Sequence, residues 1–333
     1  MIRQAITLNE YLWQQQVYLN IPTKLAILLV QIGFAAKSLS CEKDASAVVG
    51  KLEPVGEKKA TVKAQTSFDA FSNERVMEAF SKTQLVTALA SKQLTQFEYM
   101  EGGSDCDYIL RISRINDSSN RDANNSVGAI FAIYQVITSS SYWMMGQEMQ
   151  RSMAELIAAG YIFYGISTVL VYAYDNRVDG FTLDANQGEF LLTHPDIRCL
   201  TQGQSYCANL SHYREWHPQI QKFVHYLNDY HSDTNRPYSM HFTGVMLADI
   251  HHTLLEGGIY FEPSNAYHKN SKLYLLSECV PLAFIFEQAG GRASNGKEQI
   301  LDIPVESIQQ RSPLVIGSQA DVLLYEKFLR DSR

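Results

Sequence analysis

A block of short strand-like segments fills the middle of the chain, and it restricts the possible folds more than any other feature. In these segments, apolar residues either alternate with polar ones or form short uninterrupted runs. Patterns with helical spacing precede this block and return after it. Strands and helices mixed along a chain in this way predict an α/β or α+β layered sandwich. The strand-like segments are 108–112, 127–134, 162–164 and 169–174, with a hairpin formed by 180–183 and 189–193.

The helical patterns begin near the N-terminus. Thr7 and Glu10 have the spacing of a capping box, which predicts the start of a helix. Apolar residues recur at helical spacing from 23 to 39 and predict an amphipathic helix. Segment 41–66 is rich in charged and small residues and contains Pro54, so we expect a flexible loop there. Further helices are predicted at 68–83, 218–228, 244–255, 279–289 and 320–329, with strands at 258–262 and 315–316.

Composition and charge exclude several classes of protein. Apolar residues make up 46% of the 333 residues and charged residues 19%, a balance typical of a globular chain rather than a disordered one. The net charge of −7 argues against a nucleic-acid partner, because nucleic-acid phosphates require a basic protein surface. The five cysteines are scattered without a CxxC pair, so we expect free thiols in a reducing compartment.

We expect neither a membrane anchor nor an export signal. The most apolar stretch, 25–36, is too short to span a bilayer and is bracketed by Lys24 and Lys37. The N-terminal segment contains Glu10 and several glutamines where a signal peptide has an apolar block. These features predict a cytoplasmic protein without a membrane partner.

Several motifs occur in a fixed order along the chain. Residues 118–122 read Ser-Ser-Asn-Arg-Asp, and residues 125–134 read Asn-Ser-Val-Gly-Ala-Ile-Phe-Ala-Ile-Tyr. These segments resemble the D-P-x-D-G-S-S-N-x-D and V-S-V-G-T-I-F-x-I-Y motifs of the class I fructose-1,6-bisphosphatase family. The similarity extends over most of the chain. The further matches lie at 158–165, 180–184, 188–195, 278–283, 287–291 and 310–318.

This resemblance implies a fold, an assembly and a reaction. The implied fold is an αβαβα sandwich in two domains. Residues 1–195 resemble the family's allosteric, AMP-binding domain, and residues 196–333 resemble its sugar-phosphate-binding domain. The implied protein is a homotetrameric phosphatase of gluconeogenesis. It hydrolyses fructose 1,6-bisphosphate to fructose 6-phosphate and phosphate, using magnesium ions held by carboxylates.

The chain departs from the family at the magnesium ligands. The two glutamates of the family's S-E-E turn are replaced by Lys92 and Gln93. The two aspartates of the D-P-x-D-G motif are replaced by Ser113 and Asn116. Magnesium affinity comes mainly from anionic oxygens. Replacing four carboxylates by an ammonium and three neutral groups therefore predicts weak or absent magnesium binding and weak catalysis.

Two acids of the family's catalytic set are retained. Glu278 matches a metal-ligating glutamate, and Asp69 matches an acid linked to water activation. Asp117 replaces the glycine of the D-P-x-D-G motif and offers a weak second metal ligand beside Glu278. Asp117 and Asp122 would rebuild a metal site with Glu278 and Asp69 only if the backbone moved, because replacing the glycine changes the turn.

The sugar-phosphate pocket that the resemblance implies is also altered. Asn209 and Lys272 match the family, whereas His212 and Glu262 stand in place of tyrosines. His241 replaces an arginine that reaches into a neighbouring subunit's phosphate site, and the carboxylate of Glu262 would repel a phosphate. The positions that the resemblance assigns to substrate binding are Asp117, Ser118, Ser119, Asn120, Asn209, His212, His241, Phe242, Glu262 and Lys272.

The AMP site implied by the resemblance has lost its main contacts. Ala26 lacks the threonine hydroxyl found at this position in the family. Asp107 replaces a lysine and Gln135 replaces an arginine, so an anionic nucleotide loses both cations. Control by AMP is therefore expected to be absent.

Three hypotheses about function follow. The leading one is a catalytically impaired homologue that acts as a homotetramer or in a mixed oligomer with an active paralogue. The second is an active sugar-phosphate phosphatase with a metal site rebuilt around Glu278. The third is a binding module for a less anionic ligand in the altered pocket of His241, Phe242 and Glu262.

Overall fold

Helices and strands stack in alternating layers in the computed structural model of the chain. Among the described residues there are three helical layers separated by two sheets. This is the αβαβα sandwich that the resemblance implies. The structure describes residues 5–18, 21–52, 80, 84–91, 98–99, 108–115, 127–135, 156–234, 236–265 and 270–331.

The first sheet, called the large sheet, is built from strands between residues 86 and 194. These are β1 (Val86–Ser91), β2 (Glu98–Tyr99), β3 (Tyr108–Ile115), β4 (Val127–Gln135), β5 (Leu156–Tyr164), β6 (Thr168–Tyr174), β7 (Arg177–Asp184) and β8 (Glu189–His194). Their order across the sheet is β2-β1-β3-β4-β5-β6-β7-β8 in the part of the chain that the structure describes. Strands β1 and β3 are parallel, and all the strands from β3 to β8 form an antiparallel meander.

The second sheet, called the small sheet, is built from strands between residues 205 and 317. These are β9 (Ser205–Cys207), β10 (Ser239–Met240), β11 (Ile259–Glu262), β12 (Arg292–Ser294) and β13 (Leu314–Gly317). Their order is β10-β9-β11-β13-β12 within the described ranges. Strand β9 is parallel to both of its neighbours, whereas β13 is antiparallel to β11 and β12.

Apolar faces of the helices explain the layering. Helices α1 and α2 cover the outer face of the large sheet, α4 and α5 lie between the sheets, and α3 and α6 cover the small sheet. Burying each large apolar side chain contributes about 1.5–3 kcal/mol to the free energy of unfolding, so helices cover both faces of each sheet. The helices are α1 (Leu8–Tyr18), α2 (Thr23–Leu52), α3 (Pro218–Asn228), α4 (Met246–Glu256), α5 (Val280–Gln288) and α6 (Gln319–Arg330).

The capping box predicted at the start of α1 is confirmed. The Thr7 backbone N–H donates to the Glu10 carboxylate at 2.9 Å, and the Glu10 N–H donates to the Thr7 hydroxyl at 3.2 Å. These reciprocal bonds satisfy backbone donors that the first helical turn leaves without partners. They also lower the pKa of Glu10, because the hydrogen bonds favour the ionised carboxyl.

The loop predicted for 41–66 is wrong in its first part, because α2 continues as a helix to Leu52. The segment contains good helix formers, and Gly50 within a helix costs only about 1 kcal/mol relative to alanine. The chain reaches Pro54 two residues after the helix ends, which fits the steric limit that a proline imposes. Residues 53–66 and most of the predicted helix 68–83 lie outside the described residues.

Helix α2 is long and apolar enough over Thr23–Ser40 to pass a length and composition test for a membrane span. Apolar side chains on one side of it pack against α1 and the large sheet, and Leu25, Leu28, Leu29 and Ile32 are buried in that core. Ile27 and Phe34 are exposed. One side of the helix therefore has the surroundings of a core helix.

Candidate active site

The inner face of the large sheet, which points toward the small sheet, carries polar side chains on β3. In the antiparallel register, Arg111 lies opposite Ala132 and Ser113 lies opposite Ile130. Paired residues share one face of a sheet, and Ile130 belongs to the same core as the turn Leu275–Cys279. Strands β3 and β4 both contact this turn. Arg111 and Ser113 therefore lie on the face that packs against it.

Tyr134 lies on the same inner face, and we call Arg111, Ser113 and Tyr134 the inner-face cluster. Ser113 and Tyr134 are each 1% exposed, and neither hydroxyl has a hydrogen-bond partner among the described residues. Burial lowers the pKa of Arg111 and raises the pKa of Tyr134, and the two groups also interact electrostatically. An arginine stays protonated in proteins, so the cluster combines a buried cation with two hydroxyl groups.

The turn Leu275–Cys279 is π-helical and holds Glu278, the retained family acid. Glu278 is 1% exposed, and its carboxylate accepts a hydrogen bond from the Tyr274 backbone N–H at 2.8 Å. Burial raises the pKa of the adjacent Cys279 thiol, and the negative charge of Glu278 raises it further. Cys279 is therefore a protonated, buried thiol rather than a reactive one.

An ion pair occupies the predicted sugar-phosphate pocket at the end of β11. The Lys272 ammonium lies 3.3 Å from the Glu262 carboxylate. The Glu262 side chain is 13% exposed and the Lys272 side chain is 50% exposed. The carboxylate therefore neutralises the cation that the resemblance assigns to phosphate binding.

His241, a predicted substrate-binding residue, stacks on His252. The rings of His241 and His252 lie 3.9 Å apart between centroids, with an angle of 14° between their planes. Burial lowers the pKa of His252, and His241 lowers it further. Phe242, next in the chain, is 40% exposed and has no polar group with which to bind a phosphate. The stacked arrangement therefore favours the neutral form of His252, beside the position where the family has an arginine.

Asn209 and His212 make local contacts around the 3₁₀ turn Leu210–Glu215. The Asn209 side-chain oxygen accepts hydrogen bonds from the Ser211 backbone N–H at 3.2 Å and from its hydroxyl at 2.7 Å. His212 Nδ1 lies 3.1 Å from the Glu215 carboxylate. Both predicted binding residues thus have partners within their own turn.

The remaining predicted site residues lie outside the part of the chain that the structure describes. Their positions stay predictions from the sequence. They are Asp69, Lys92, Gln93, Asn116, Asp117, Ser118, Ser119, Asn120 and Asp122.

Comparison with known proteins decides the family. The domain family Fructose-1-6-bisphosphatase, N-terminal domain, matches residues 6–195, and the corresponding C-terminal domain matches residues 200–330. A relative from Acaryochloris marina (strain MBIC 11017), named Fructose-1,6-bisphosphatase class 1 2, is 48% identical over 327 residues and 98% of both chains. The chain belongs to the class 1 fructose-1,6-bisphosphatase family.

Less similar members of the family also match the chain over almost its whole length. Fructose-1,6-bisphosphatase class 1 from Chlorobaculum parvum is 36% identical over 329 residues, which cover 98% of each chain. The crystal structure of Leishmania major fructose-1,6-bisphosphatase in holo form is 31% identical, with a TM-score of 0.83. That match covers 98% of this chain and 99% of the Leishmania chain. The scaffold is therefore that of the bisphosphatases throughout.

The described side chains do not fit the magnesium ions that the family's reaction uses. Ser113, at an aspartate position of the bisphosphatase motif, offers a neutral hydroxyl instead of an anionic oxygen. Arg111 places a permanent positive charge two residues away on the same face of β3. A divalent cation is repelled by a guanidinium and binds weakly to a lone hydroxyl. Glu278 is the acid that the described part of the site retains.

Arg111 is one of the site residues that the sequence motifs do not point to. Its signal was present, because one arginine interrupts the apolar segment 108–112. A charged residue in such a segment is commonly an exposed one, and only the register with β4 places Arg111 on the buried inner face.

We expect Glu262→Gln to strengthen the binding of fructose 6-phosphate by about 5-fold, because it frees the Lys272 ammonium. An ion pair with one half-exposed partner contributes only about 1 kcal/mol, which sets the size of this effect. Isothermal titration calorimetry at low ionic strength measures it. The double variant Glu262→Gln with Lys272→Met should lose the gain. An equal or weaker affinity of the single variant would show that the ion pair does not control phosphate binding.

Proposed function

We propose that this member of the bisphosphatase family is catalytically impaired. It keeps the scaffold and a ligand pocket of the family, whereas magnesium-dependent phosphate hydrolysis is weak or lost. The observation that carries this proposal is that Ser113 and Arg111 are both buried on one face of β3. Ser113 places a neutral hydroxyl where the bisphosphatase motif supplies an aspartate, and Arg111 adds a cation beside it.

The sequence adds three further losses to this one. Lys92, Gln93 and Asn116 replace the other carboxylates of the family's ligand motifs. Even changes to residues that only orient metal ligands cost about 10- to 100-fold in affinity or activity. Loss of four ligands therefore supports very low turnover, with magnesium bound weakly or not at all.

The proposed role is that of a regulatory or structural subunit in the cytoplasm. The family scaffold supports a homotetramer, or a mixed oligomer with an active paralogue in the same cell. Residues 1–195 and 196–333 would form its two domains. The altered AMP positions support a subunit that does not respond to AMP.

An assay of magnesium-dependent phosphate release from fructose 1,6-bisphosphate tests this proposal. The Leishmania major enzyme, measured in parallel, provides the rate of a family member. We expect phosphate release by this chain to be indistinguishable from release in a blank without protein. Turnover comparable to that of the reference enzyme would refute the proposal.

A second candidate function is an active sugar-phosphate phosphatase with a rebuilt metal site. The name of the 48% identical relative, a fructose-1,6-bisphosphatase, favours it. Asp69, Asp117, Asp122 and Glu278 would have to converge to hold the metal. Phosphate release that is measurable on a panel of sugar and inositol phosphates, and abolished by Glu278→Gln, would support this candidate over the first.

A further inference from the structure

We propose that the stacked rings of His241 and His252 form a proton-sensitive latch, which holds the loop of residues 241–245 against helix α4. At neutral pH the latch holds the loop, and in mild acid it releases the loop. The inference rests on the proposed function and deepens it, because the loop carries His241 and Phe242, two positions that the resemblance assigns to the ligand pocket. The latch thereby makes the ligand pocket responsive to pH.

The two imidazole rings are nearly parallel and in contact. Their centroids lie 3.9 Å apart, and the angle between their planes is 14°. His241 follows strand β10, whereas His252 lies on α4, so the stack joins the loop to the helix. Two positive charges at this distance repel each other. The closed position of the loop therefore accommodates at most one proton on the pair.

A second contact fixes the loop to the same helix. Asp249 is 1% exposed, and its Oδ1 atom accepts hydrogen bonds from the Thr243 backbone N–H at 2.8 Å and from the Thr243 hydroxyl at 2.7 Å. The Thr243 hydroxyl accepts a hydrogen bond from the Val245 backbone N–H at 3.1 Å. Gly244 has a φ of 78°, which glycine adopts without strain. The loop therefore has one defined closed position against α4.

The charges around the pair determine the direction of the pH response. Burial lowers the pKa of His252, and the nearby His241 lowers it further, whereas the carboxylates of Glu256 and Asp249 on the same helix partly offset both effects. Once the loop is released, both imidazoles are more exposed to water, where a histidine binds a proton near pH 6.5. The latch is therefore fully held above about pH 6.5 and is lost as the pH falls below this value.

Other titratable groups lie near the pair but outside the latch. His251, the preceding residue of α4, faces Tyr161 and His194 of the large sheet. Cys207 of β9 and Tyr260 of β11 interact with the carboxylate that anchors the loop. Burial raises the pKa of this thiol and of this phenol, so neither loses its proton near neutral pH. His194 is therefore the group whose titration has to be separated from that of the pair.

Hydrogen–deuterium exchange of the full chain at residue resolution tests the inference at pH 7.5 and pH 5.5. The protection factors are corrected for the pH dependence of chemical exchange. Protection of the Thr243 and Val245 amides, which are bonded within the closed loop, should fall by at least about 10-fold at pH 5.5. Protection of the Ser239 amide, which donates to the Gln204 carbonyl in the small sheet, should stay the same.

Two variants remove the proton site and keep an aromatic ring for stacking. In His252→Phe and in His241→Phe, the Thr243 amide should stay protected at both pH values. His194→Gln is the matched control, because it removes a neighbouring imidazole that does not contact the loop, and it should keep the response of the wild type. If one of the two phenylalanine variants does not fold, as circular dichroism would show, the other carries the test.

Equal protection of the Thr243 amide at both pH values in the wild type would overturn the inference. A fall that both phenylalanine variants retain, or that the Ser239 amide shares, would overturn it as well. Failure of the proposed function looks different. It appears as turnover of fructose 1,6-bisphosphate, whereas exchange is measured without ligand and reports the loop alone.

Discussion

Restoring the four family carboxylates, together with Arg111→Ala, should create a magnesium-dependent phosphatase whose activity is at least about 100-fold above the detection limit, where the wild-type chain gives no signal. The restoring substitutions are Lys92→Glu, Gln93→Glu, Ser113→Asp and Asn116→Asp. The gain is expected because several ligands act as one set, so that kcat/KM for fructose 1,6-bisphosphate reports their joint effect. Each substitution alone should raise kcat/KM only slightly, since the other positions still lack anionic oxygens.

Arg111 decides how large this gain becomes. A carboxylate placed at position 113 lies on the same face of β3 as the Arg111 guanidinium and would pair with it instead of a metal ion. We therefore expect the full gain only when Arg111→Ala accompanies the four substitutions. Glu278→Gln in that background should return the activity to the wild-type level. If the variant with all five substitutions folds but shows no gain in kcat/KM, carboxylates at these positions do not limit catalysis.

Unfolding experiments should show that His251 makes the free energy of unfolding fall by about 3 kcal/mol as the pH is lowered from 6.5 to 4. Burial is the main cause of the lowering of the pKa of His251 to about 4, and the nearby His194 and His252 contribute to it. His251 Nδ1 lies 2.7 Å from the Tyr161 hydroxyl, on a side of α4 that packs against the large sheet. The folded state therefore holds the neutral ring.

The sign of this effect follows from proton binding. In the unfolded chain the imidazole binds a proton near pH 6.5, so acid favours the unfolded state between pH 6.5 and 4. The stabilising contribution is fully present above pH 6.5 and is lost as the pH falls toward 4. A shift from 6.5 to about 4 corresponds to about 3 kcal/mol.

Urea unfolding of the wild type and of His251→Gln at a series of pH values measures this contribution. Glutamine keeps a polar partner for Tyr161 but does not titrate. Burial raises the pKa of Glu287 to about 7, which gives stability the opposite dependence on pH in both proteins. The difference between the two proteins therefore isolates His251. Parallel pH curves would contradict the expected loss.

The sequence predicted those strands whose apolar pattern is strong. Segment 127–134 matches β4 (Val127–Gln135) almost to the residue, because its apolar run is continuous. Strand β5 begins at Leu156, earlier than predicted, because its first half contains Ala158, Ala159 and Gly160. Small residues give a weak strand signal. Here they leave space for neighbours, since a side chain at position 160 would meet the Phe131 ring.

The candidate site was only partly predictable, because its contacts join distant parts of the sequence. Motif resemblance located Glu278 but not the π-helical turn that buries it. Glu262 was expected to repel phosphate, and the structure adds that it forms an ion pair with Lys272. The inner-face cluster depends on the register between β3 and β4, which no local pattern specifies.

Isothermal titration calorimetry of the 333-residue chain with magnesium measures how many divalent cations the pocket around Glu278 holds. The titration is made in the presence of fructose 6-phosphate and phosphate. With the family's other carboxylates replaced, we predict no saturable magnesium binding at millimolar metal and no difference between the wild type and Glu278→Gln. Two or three saturable sites that disappear in Glu278→Gln would contradict the account of an acid-poor pocket.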